Sequence, residues 1–212
     1  MKAGGFLVAA VLTLLVIGLL MWRRVAREAA SERGAETRKV EVLIDDSVIA
    51  VGDPYAIIDP VWWTADIYGS VDEYETSLQS FSRSQRLVHA LHWYIAEVNN
   101  GGHDQFYFNS TGIVWPDAIA AFDAIGESEG AEIVRQSAKR LGGEPARDRS
   151  ERQDQLEQIE PSFDDLDDRF YELQKQVDLD AKMMDFIRVR PSDFYFQGVV
   201  EKPPPITVSP AH

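Results

Sequence analysis

One segment of the sequence is rich in side chains of the types that can bind ligands or take part in catalysis. It reads Glu97-Val98-Asn99-Asn100-Gly101-Gly102-His103-Asp104-Gln105-Phe106-Tyr107-Phe108-Asn109. A carboxylate, several amides and an imidazole this close together can form a polar pocket, but the segment pairs no nucleophile with a base. The residues that we single out are Glu97, Asn99, Asn100, Gly101, Gly102, His103, Gln105, Phe106 and Asn109.

The preferred interpretation of this segment is a structural hub, with ligand binding or catalysis as the alternatives. Asn99 to Gly102 predict a sharp reversal after a helix, because Asn and Gly tolerate positive φ. Glu97, Gln105 and Asn109 are then expected to hydrogen-bond exposed backbone groups around the turn. Phe106 and Phe108 are expected to hold the following segment, one or two helical turns long, in the core.

Two histidines could bind a metal ion. His89 and His92 lie three residues apart on a predicted helix, and Glu97 or His103-Asp104 could add ligands, but the spacing fixes no third ligand. The sequence has no HExxH helix, no GxSxG nucleophile motif and no phosphate-binding Gly-rich loop. We therefore predict no metal, no cofactor and no catalytic residue.

A cluster of carboxylates begins the helix predicted from Phe163 to Val177. Asp164, Asp168 and Glu172 share one face at spacings of four residues, which places them about 6 Å apart. That separation is similar in scale to the phosphate spacing along a DNA strand. Asp165 is expected to pair with Arg169. Together Asp164, Asp165, Asp168 and Glu172 form either an ordinary solvated face or an acidic surface that attracts a basic partner.

Helices must position these residues. Apolar periodicity and capping signals predict helices over 70–81, 84–98, 116–126, 128–141, 163–177 and 180–189. The alternation of Val40, Val42 and Ile44, followed by the apolar run 48–51, predicts a short extended segment before the helices. Residues 144–152 read as a charged connection. The expected class is mainly α, a compact all-helical domain with a short extended N-terminal segment.

The central motif resembles a known family. The run from Glu97 to Ser110, followed by Trp115 and by Phe122-Asp123-Ala124-Ile125-Gly126, resembles the bacterial family of DNA-mimic protein C-terminal-like domains, whose function is largely unknown. The stretches 163–171 and 183–194 are similar to that family's C-terminal helices, so the resemblance covers 68–196. It implies an all-helical domain and acidic mimicry of duplex DNA toward a DNA-binding protein.

Composition excludes several classes of protein. The chain has no cysteine, which excludes disulfide-stapled mini-domains, zinc ribbons and thiol nucleophiles. With 35 Asp and Glu against 21 Lys and Arg, its net charge is −14, and direct nucleic-acid binding is not expected. The charge is uneven: residues 1–39 hold seven basic and three acidic side chains, so residues 40–212 carry a net charge of −18.

The N-terminal segment predicts a membrane anchor. Residues 3–22 contain no charge, and 20 such residues in a helix span about 30 Å, the thickness of a bilayer core. A cleaved signal peptide and a buried core helix are the alternatives. Arg23 and Arg24 follow at once, and the positive-inside rule then places the C-terminal domain in the cytoplasm, at the inner (plasma) membrane.

The expected order along the chain follows from these segments. It is a transmembrane anchor at 1–22, a basic juxtamembrane spacer at 23–39, an acidic extended segment at 40–67, the helical domain at 68–196 and a Pro-rich mobile tail at 197–212. The preferred function is a non-enzymatic interaction module for a basic protein, in particular a DNA-binding protein. The alternative is a small-ligand-binding or hydrolytic domain that uses the polar segment from Glu97 to Asn109.

Overall fold

Helices make up most of residues 37–203, the part of the chain that the computed structural model describes. The elements are β1 (Arg38–Ile44), α1 (Asp46–Val51), α2 (Pro54–Ile57), α3 (Asp59–Thr64), α4 (Val71–Ser77), α5 (Arg83–Phe108), a 3-10 helix (Ser110–Val114), α6 (Trp115–Ala124), α7 (Ser128–Arg140), α8 (Arg149–Ile159), α9 (Asp164–Gln176), α10 (Leu179–Arg188), a second 3-10 helix (Pro191–Phe194) and β2 (Phe196–Lys202). The mainly helical class is confirmed.

The segment before the helical domain is only partly extended. β1 is a strand, as the alternation predicts, but the apolar run 48–51 lies in α1 and two further short helices follow it. The Asp45 carboxylate accepts hydrogen bonds from the backbone N–H groups of Ser47 and Val48 and so begins α1. Asp53 caps α2 in the same way. The prediction of an extended segment over 40–67 is therefore wrong after Ile44, because caps outweigh the β propensity of a four-residue run.

The C-terminal prediction also needs correction. Residues 196–202 form β2, which pairs with β1 in a two-stranded sheet, so the domain is not all-helical and the tail is a strand up to Lys202. Thr37 Oγ1 donates to Glu201 at 3.3 Å and the Tyr195 hydroxyl donates to Asp46 at 2.6 Å, an antiparallel arrangement. This pairing joins segments about 155 residues apart in the chain. Patterns among neighbouring residues cannot predict such a long-range pairing.

Contacts divide the chain into two units. Residues 41–200 form one of them. Of the other, the structure describes only 37–40 and 201–203, where the Thr37–Glu201 hydrogen bond lies.

The long helix α5 is central to the core of the larger unit. It contacts α6, α8 and α9, and α6 and α9 both contact α7. The predicted apolar stripe of α5 is confirmed, since Leu91, Tyr94 and Val98 are fully buried. The stripe of α9 is confirmed as well, because Leu166 and Phe170 are buried against the same core. α9 begins at Asp164 without a side-chain cap.

Within residues 37–203 we find no helix that combines the length and the apolar character needed to cross a bilayer. The predicted anchor at 1–22 lies outside the described residues, as do most of the spacer at 23–39 and the end of the tail from 204 onward.

Candidate functional site

The Asn-Asn-Gly-Gly sequence breaks α5 as predicted. Gly101 and Gly102 have non-helical backbone angles, and the helix resumes at His103 and ends at Phe108. Gly102 has φ +72°, a left-handed conformation that favours glycine. A Cβ atom there would lie 2.3 Å from Asp167 Oδ2. Glycine is therefore required at position 102 both by the backbone and by the close approach of α9.

Glu97 joins the two parts of α5. Its carboxylate accepts hydrogen bonds from Gln105 Nε2 at 2.7 Å, Asn109 Nδ2 at 2.8 Å and Thr111 Oγ1 at 2.9 Å. The side chain is buried. Gln105 and Asn109 thus bond to the Glu97 carboxylate and not to the backbone groups around the turn. No sequence signal identified Thr111, which lies in the 3-10 helix Ser110–Val114 that follows α5.

His103 links the break to the acidic helix. Asp167 Oδ1 accepts from the backbone N–H of His103 at 2.9 Å and contacts ring Nδ1 at 2.5 Å, while ring Nε2 lies 2.8 Å from the Tyr94 hydroxyl. Asp167 thereby caps the resumed helix from a different element. Tyr94 and His103 are both fully buried, so this Tyr-His-Asp chain presents no hydroxyl nucleophile to solvent.

One face of α9 forms hydrogen bonds with the residues around the break in α5. Besides Asp167, Tyr171 donates its hydroxyl hydrogen to the carbonyl of Val98 at 2.9 Å. Asn99 and Gln174 exchange two amide hydrogen bonds, at 2.8 and 2.9 Å. Asp167, Tyr171 and Gln174 follow at i, i+4 and i+7, the spacing of a single helical stripe. Asn99 and Asn100 are both exposed.

The two phenylalanines of the motif separate. Phe106 is fully buried and meets Tyr94 edge to face, with ring centroids 5.1 Å apart. Phe108 is half exposed, and the Arg149 guanidinium lies over its ring. The expectation that both rings enter the core is wrong for Phe108, because two residues apart on a helix point about 200° apart.

A buried arginine that the sequence analysis did not identify closes this cluster. Arg152 is fully buried and donates to the carbonyls of Tyr107 and Asn109, at 2.7 and 2.6 Å, where α5 ends. It also donates to the carbonyls of Ala146 and Arg147 in the loop before α8. A cation at a helix C-terminus is stabilised by the helix dipole. Burial lowers the pKa of Arg152 to about 10.

The predicted acidic residues have different environments. Asp164, Asp165, Asp168 and Glu172 are all exposed on α9. Asp165 pairs with Arg140 of α7, which lowers its pKa to about 2, while Arg169 pairs with Glu129; the expected Asp165–Arg169 pair is therefore replaced. Glu172 pairs with Lys175.

Some carboxylates on and beside α9 have no ion-pair partner among the described residues. In the part of the chain that the structure describes, Asp164 and Asp168 have no Lys or Arg within ion-pair distance. The exposed Asp104 belongs with them: its partial burial and the carboxylates of Asp167 and Asp164 raise its pKa. We call Asp104, Asp164 and Asp168 the acidic face.

These features match a known family. The model of the DMP19-like protein family matches residues 79–190, from before α5 to the end of α10. The chain belongs to this family. DMP19 proteins are DNA mimics, which agrees with the resemblance seen in the sequence. The match includes the α5 break and α9 of this DMP19-like chain. No curated protein and no solved structure gives a significant match to it.

The two histidines considered as metal ligands of the DMP19-like chain lie among aromatic rings. His89 Nε2 accepts from Trp93 Nε1 at 3.1 Å, and His92 packs edge-on against Trp62 and Tyr55. Burial lowers the pKa of both imidazoles, that of His89 to about 3. In residues 37–203 no three His, Asp or Glu side chains form a group able to hold a metal ion.

Proposed function

We propose that this protein is a non-enzymatic interaction module that presents its acidic face to the DNA-binding surface of a basic protein. Membership of the DMP19-like family supports an interaction with DNA-binding proteins. A surface that binds DNA carries Lys and Arg side chains placed to contact phosphates. Carboxylates four residues apart on a helix offer such a surface negative charges whose separation is similar to that of phosphates along a DNA strand.

The incomplete charge compensation on α9 and at Asp104 of α5 carries this proposal. Asp165 and Glu172 are paired within the chain, whereas Asp104, Asp164 and Asp168 have no such partner in the described residues. Like charges four residues apart on a helix cost about 0.2–0.5 kcal/mol. A basic partner would remove this repulsion, and the charge of −18 on residues 40–212 would accelerate its approach.

The test begins with crosslinking in cells, which identifies the partner of the full chain. Binding of the purified partner is then measured at increasing salt and in the presence of duplex DNA. We expect binding to weaken with salt and to be displaced by DNA, because screening and competition act on the same basic surface. The proposal would be refuted if binding of the partner were unchanged both by increasing salt and by duplex DNA.

Matched variants locate the surface. Asp104→Asn/Asp164→Asn/Asp168→Asn should weaken binding about tenfold, since each exposed ion pair contributes about 0.2–1 kcal/mol. The control, Asp72→Asn/Asp154→Asn/Glu157→Gln, changes three exposed carboxylates elsewhere by the same charge and should bind as the wild type does. Equal losses in both triple variants would indicate a general effect of charge and no defined face.

The burial of Glu97 favours a structural role for the central motif over the ligand-binding or hydrolytic alternative. Both carboxylate oxygens of Glu97 are engaged by side chains of the same domain. A site for a substrate needs polar groups that the fold leaves available.

For localisation we propose, from the sequence alone, that residues 3–22 anchor the protein in the inner membrane with residues 40–212 in the cytoplasm. Membrane fractionation combined with a C-terminal reporter that is active on only one side of the membrane tests this. Recovery of the full chain in the soluble fraction would refute the anchor.

A further inference from the structure

A small aromatic cavity opens on the surface of the larger unit, and none of its lining residues belongs to the central motif. It has a volume of about 250 Å³ and draws its walls from α2, α3, α5 and the residue between α2 and α3. Its lining residues are Tyr55, Ile58, Asp59, Trp62, Trp63 and His92. Four of these six side chains are aromatic rings, one is a carboxylate, and none is Lys or Arg.

The rings are held in place by contacts with one another and with Trp93, which does not line the cavity. Trp62 stacks on Trp93 with ring centroids 4.4 Å apart, and Trp93 is itself fixed by its hydrogen bond to His89. His92 stands edge-on to Tyr55 at 4.6 Å and to Trp62 at 4.9 Å. A ligand would therefore meet walls that are already ordered, which reduces the entropy lost on binding.

The surroundings of the cavity are negative. Asp59 lies in the wall, where Trp63 Nε1 donates to it at 2.9 Å. The Tyr55 hydroxyl donates to Asp180 at 2.5 Å, and burial together with Asp180, Asp53 and Asp178 raises the pKa of this phenol. More widely, residues 40–82 contain nine carboxylates and no Lys or Arg. Such a field attracts cations and repels anions.

We propose that this cavity binds an organic cation with a quaternary ammonium head group. The faces of Trp and Tyr rings attract a cation within about 6 Å, and a methylated ammonium is easily removed from water. A hard metal ion needs about six oxygen ligands, whereas one carboxylate lines the cavity. The volume suits one head group, since cavities for drug-sized ligands begin at about 300 Å³.

This inference does not depend on the proposed function. Tyr55, Trp62 and Trp63 precede the residues that match the DMP19-like family, 79–190. The cavity is therefore built largely by the N-terminal segment of this chain, with His92 as the contribution of α5.

The first experiment compares choline with 3,3-dimethyl-1-butanol, its neutral isostere, by titration calorimetry on the full chain. The two molecules have the same shape and differ in charge. We expect choline to bind about tenfold or more tightly than the alcohol, as one or two cation–π contacts would produce. Equal affinity would show a merely apolar cavity, and the absence of choline binding at millimolar concentration would also overturn the proposal.

The second experiment uses variants with controls. Trp63→Leu and Asp59→Asn should each weaken choline binding about fivefold. The controls Tyr68→Leu and Asp72→Asn remove an exposed aromatic ring and a carboxylate that do not line the cavity, and they should bind choline normally. Trp63 is itself partly exposed, so its replacement should leave the fold intact; if Trp63→Leu unfolds, Asp59→Asn decides.

A last comparison separates this proposal from the proposed function. Asp104→Asn/Asp164→Asn/Asp168→Asn should keep the wild-type affinity for choline even if it no longer binds a basic protein. Loss of choline binding in this triple variant would place the cation site on the acidic face and refute the assignment to the aromatic cavity.

Discussion

Asp167 and Asp168 are neighbours on α9 with opposite environments. Asp167 faces the break in α5, where the His103 backbone N–H and ring bond to its carboxylate. Asp168 is turned about 100° further around the helix and is exposed, without a cation partner in the described residues. The same side chain is therefore structural at one position and available for binding at the next, and the direction of the helix face decides which.

The contrast extends to the two surfaces that these residues represent. Around the break, Glu97, His103 and Arg152 are buried and each makes several hydrogen bonds inside the domain. On the acidic face, the carboxylates meet water. Substitutions at the break should therefore lower the free energy of unfolding, whereas substitutions on the acidic face should alter binding and leave stability nearly unchanged.

The strongest challenge to this contrast is Arg152→Met. It removes the guanidinium that donates to five backbone carbonyls, and we expect the free energy of unfolding to fall by about 3 kcal/mol or more. Urea denaturation measures this. Arg149→Met is the control, because Arg149 is exposed on the same helix and should cost less than about 1 kcal/mol. Equal effects would show that burial of Arg152 contributes little.

Glu97→Gln tests the central motif. The new amide group would face donors of Gln105, Asn109 and Thr111, so we expect a loss of about 2–3 kcal/mol in unfolding free energy. The exposed Glu132→Gln, which keeps a neutral acceptor for Gln136, should lose less than about 0.5 kcal/mol. If Glu97→Gln instead keeps full stability but abolishes binding of the partner, the motif is a binding site and the contrast fails.

A comparison of Asp167→Asn with Asp168→Asn tests the same contrast at two adjacent residues. We expect Asp167→Asn to cost about 2 kcal/mol of stability, since it weakens charge-assisted hydrogen bonds to His103. Asp168→Asn should change stability by less than about 0.5 kcal/mol, toward greater stability, because it relieves repulsion from Asp164. Thermal and chemical unfolding of both variants check this, and the reverse order would contradict it.

The pH dependence of stability tests whether burial keeps the His89 imidazole neutral in the folded chain. Burial lowers the pKa of His89 from an ordinary 6.5 to about 3, so between these values the unfolded chain binds the extra proton and stability falls as pH falls. His89→Gln still offers an acceptor to Trp93. Between pH 6.5 and 5 it should lose about 1.5 kcal/mol less stability than the wild type does.

The control for this prediction is His92→Gln, at an imidazole that is less deeply buried. It should reduce the pH dependence by a smaller amount. Identical pH profiles for the wild type and His89→Gln would mean that His89 takes up its proton equally in the folded and unfolded chains.

Much of the fold is predictable because its signals are local. The apolar stripes of α5 and α9, the start of α6 at Trp115-Pro116 and the break at Gly101-Gly102 all follow from the spacing of neighbouring residues. The short helices α1 and α2 were missed, although Asp45 and Asp53 are ordinary N-cap residues, because the apolar run that follows Asp45 also fits a strand.

The candidate site was predictable only in its list of residues. The sequence brought Glu97, Gln105 and Asn109 to attention, but their convergence on one carboxylate depends on how the helix resumes after the break. Arg152 lay in a segment that reads as a charged connection, and nothing local shows that such an arginine is buried. The aromatic cavity draws on residues up to 37 positions apart in the chain.

The sequence by itself determined the helical class, the position of the break, the family and the excess of negative charge, because each depends on composition or on short-range spacing. The tertiary structure alone decided which carboxylates receive partners. That outcome requires α7 to bring Arg140 to Asp165, and α5 to bring His103 to Asp167. Helix periodicity gives each side chain a direction, and only packing determines what lies in that direction.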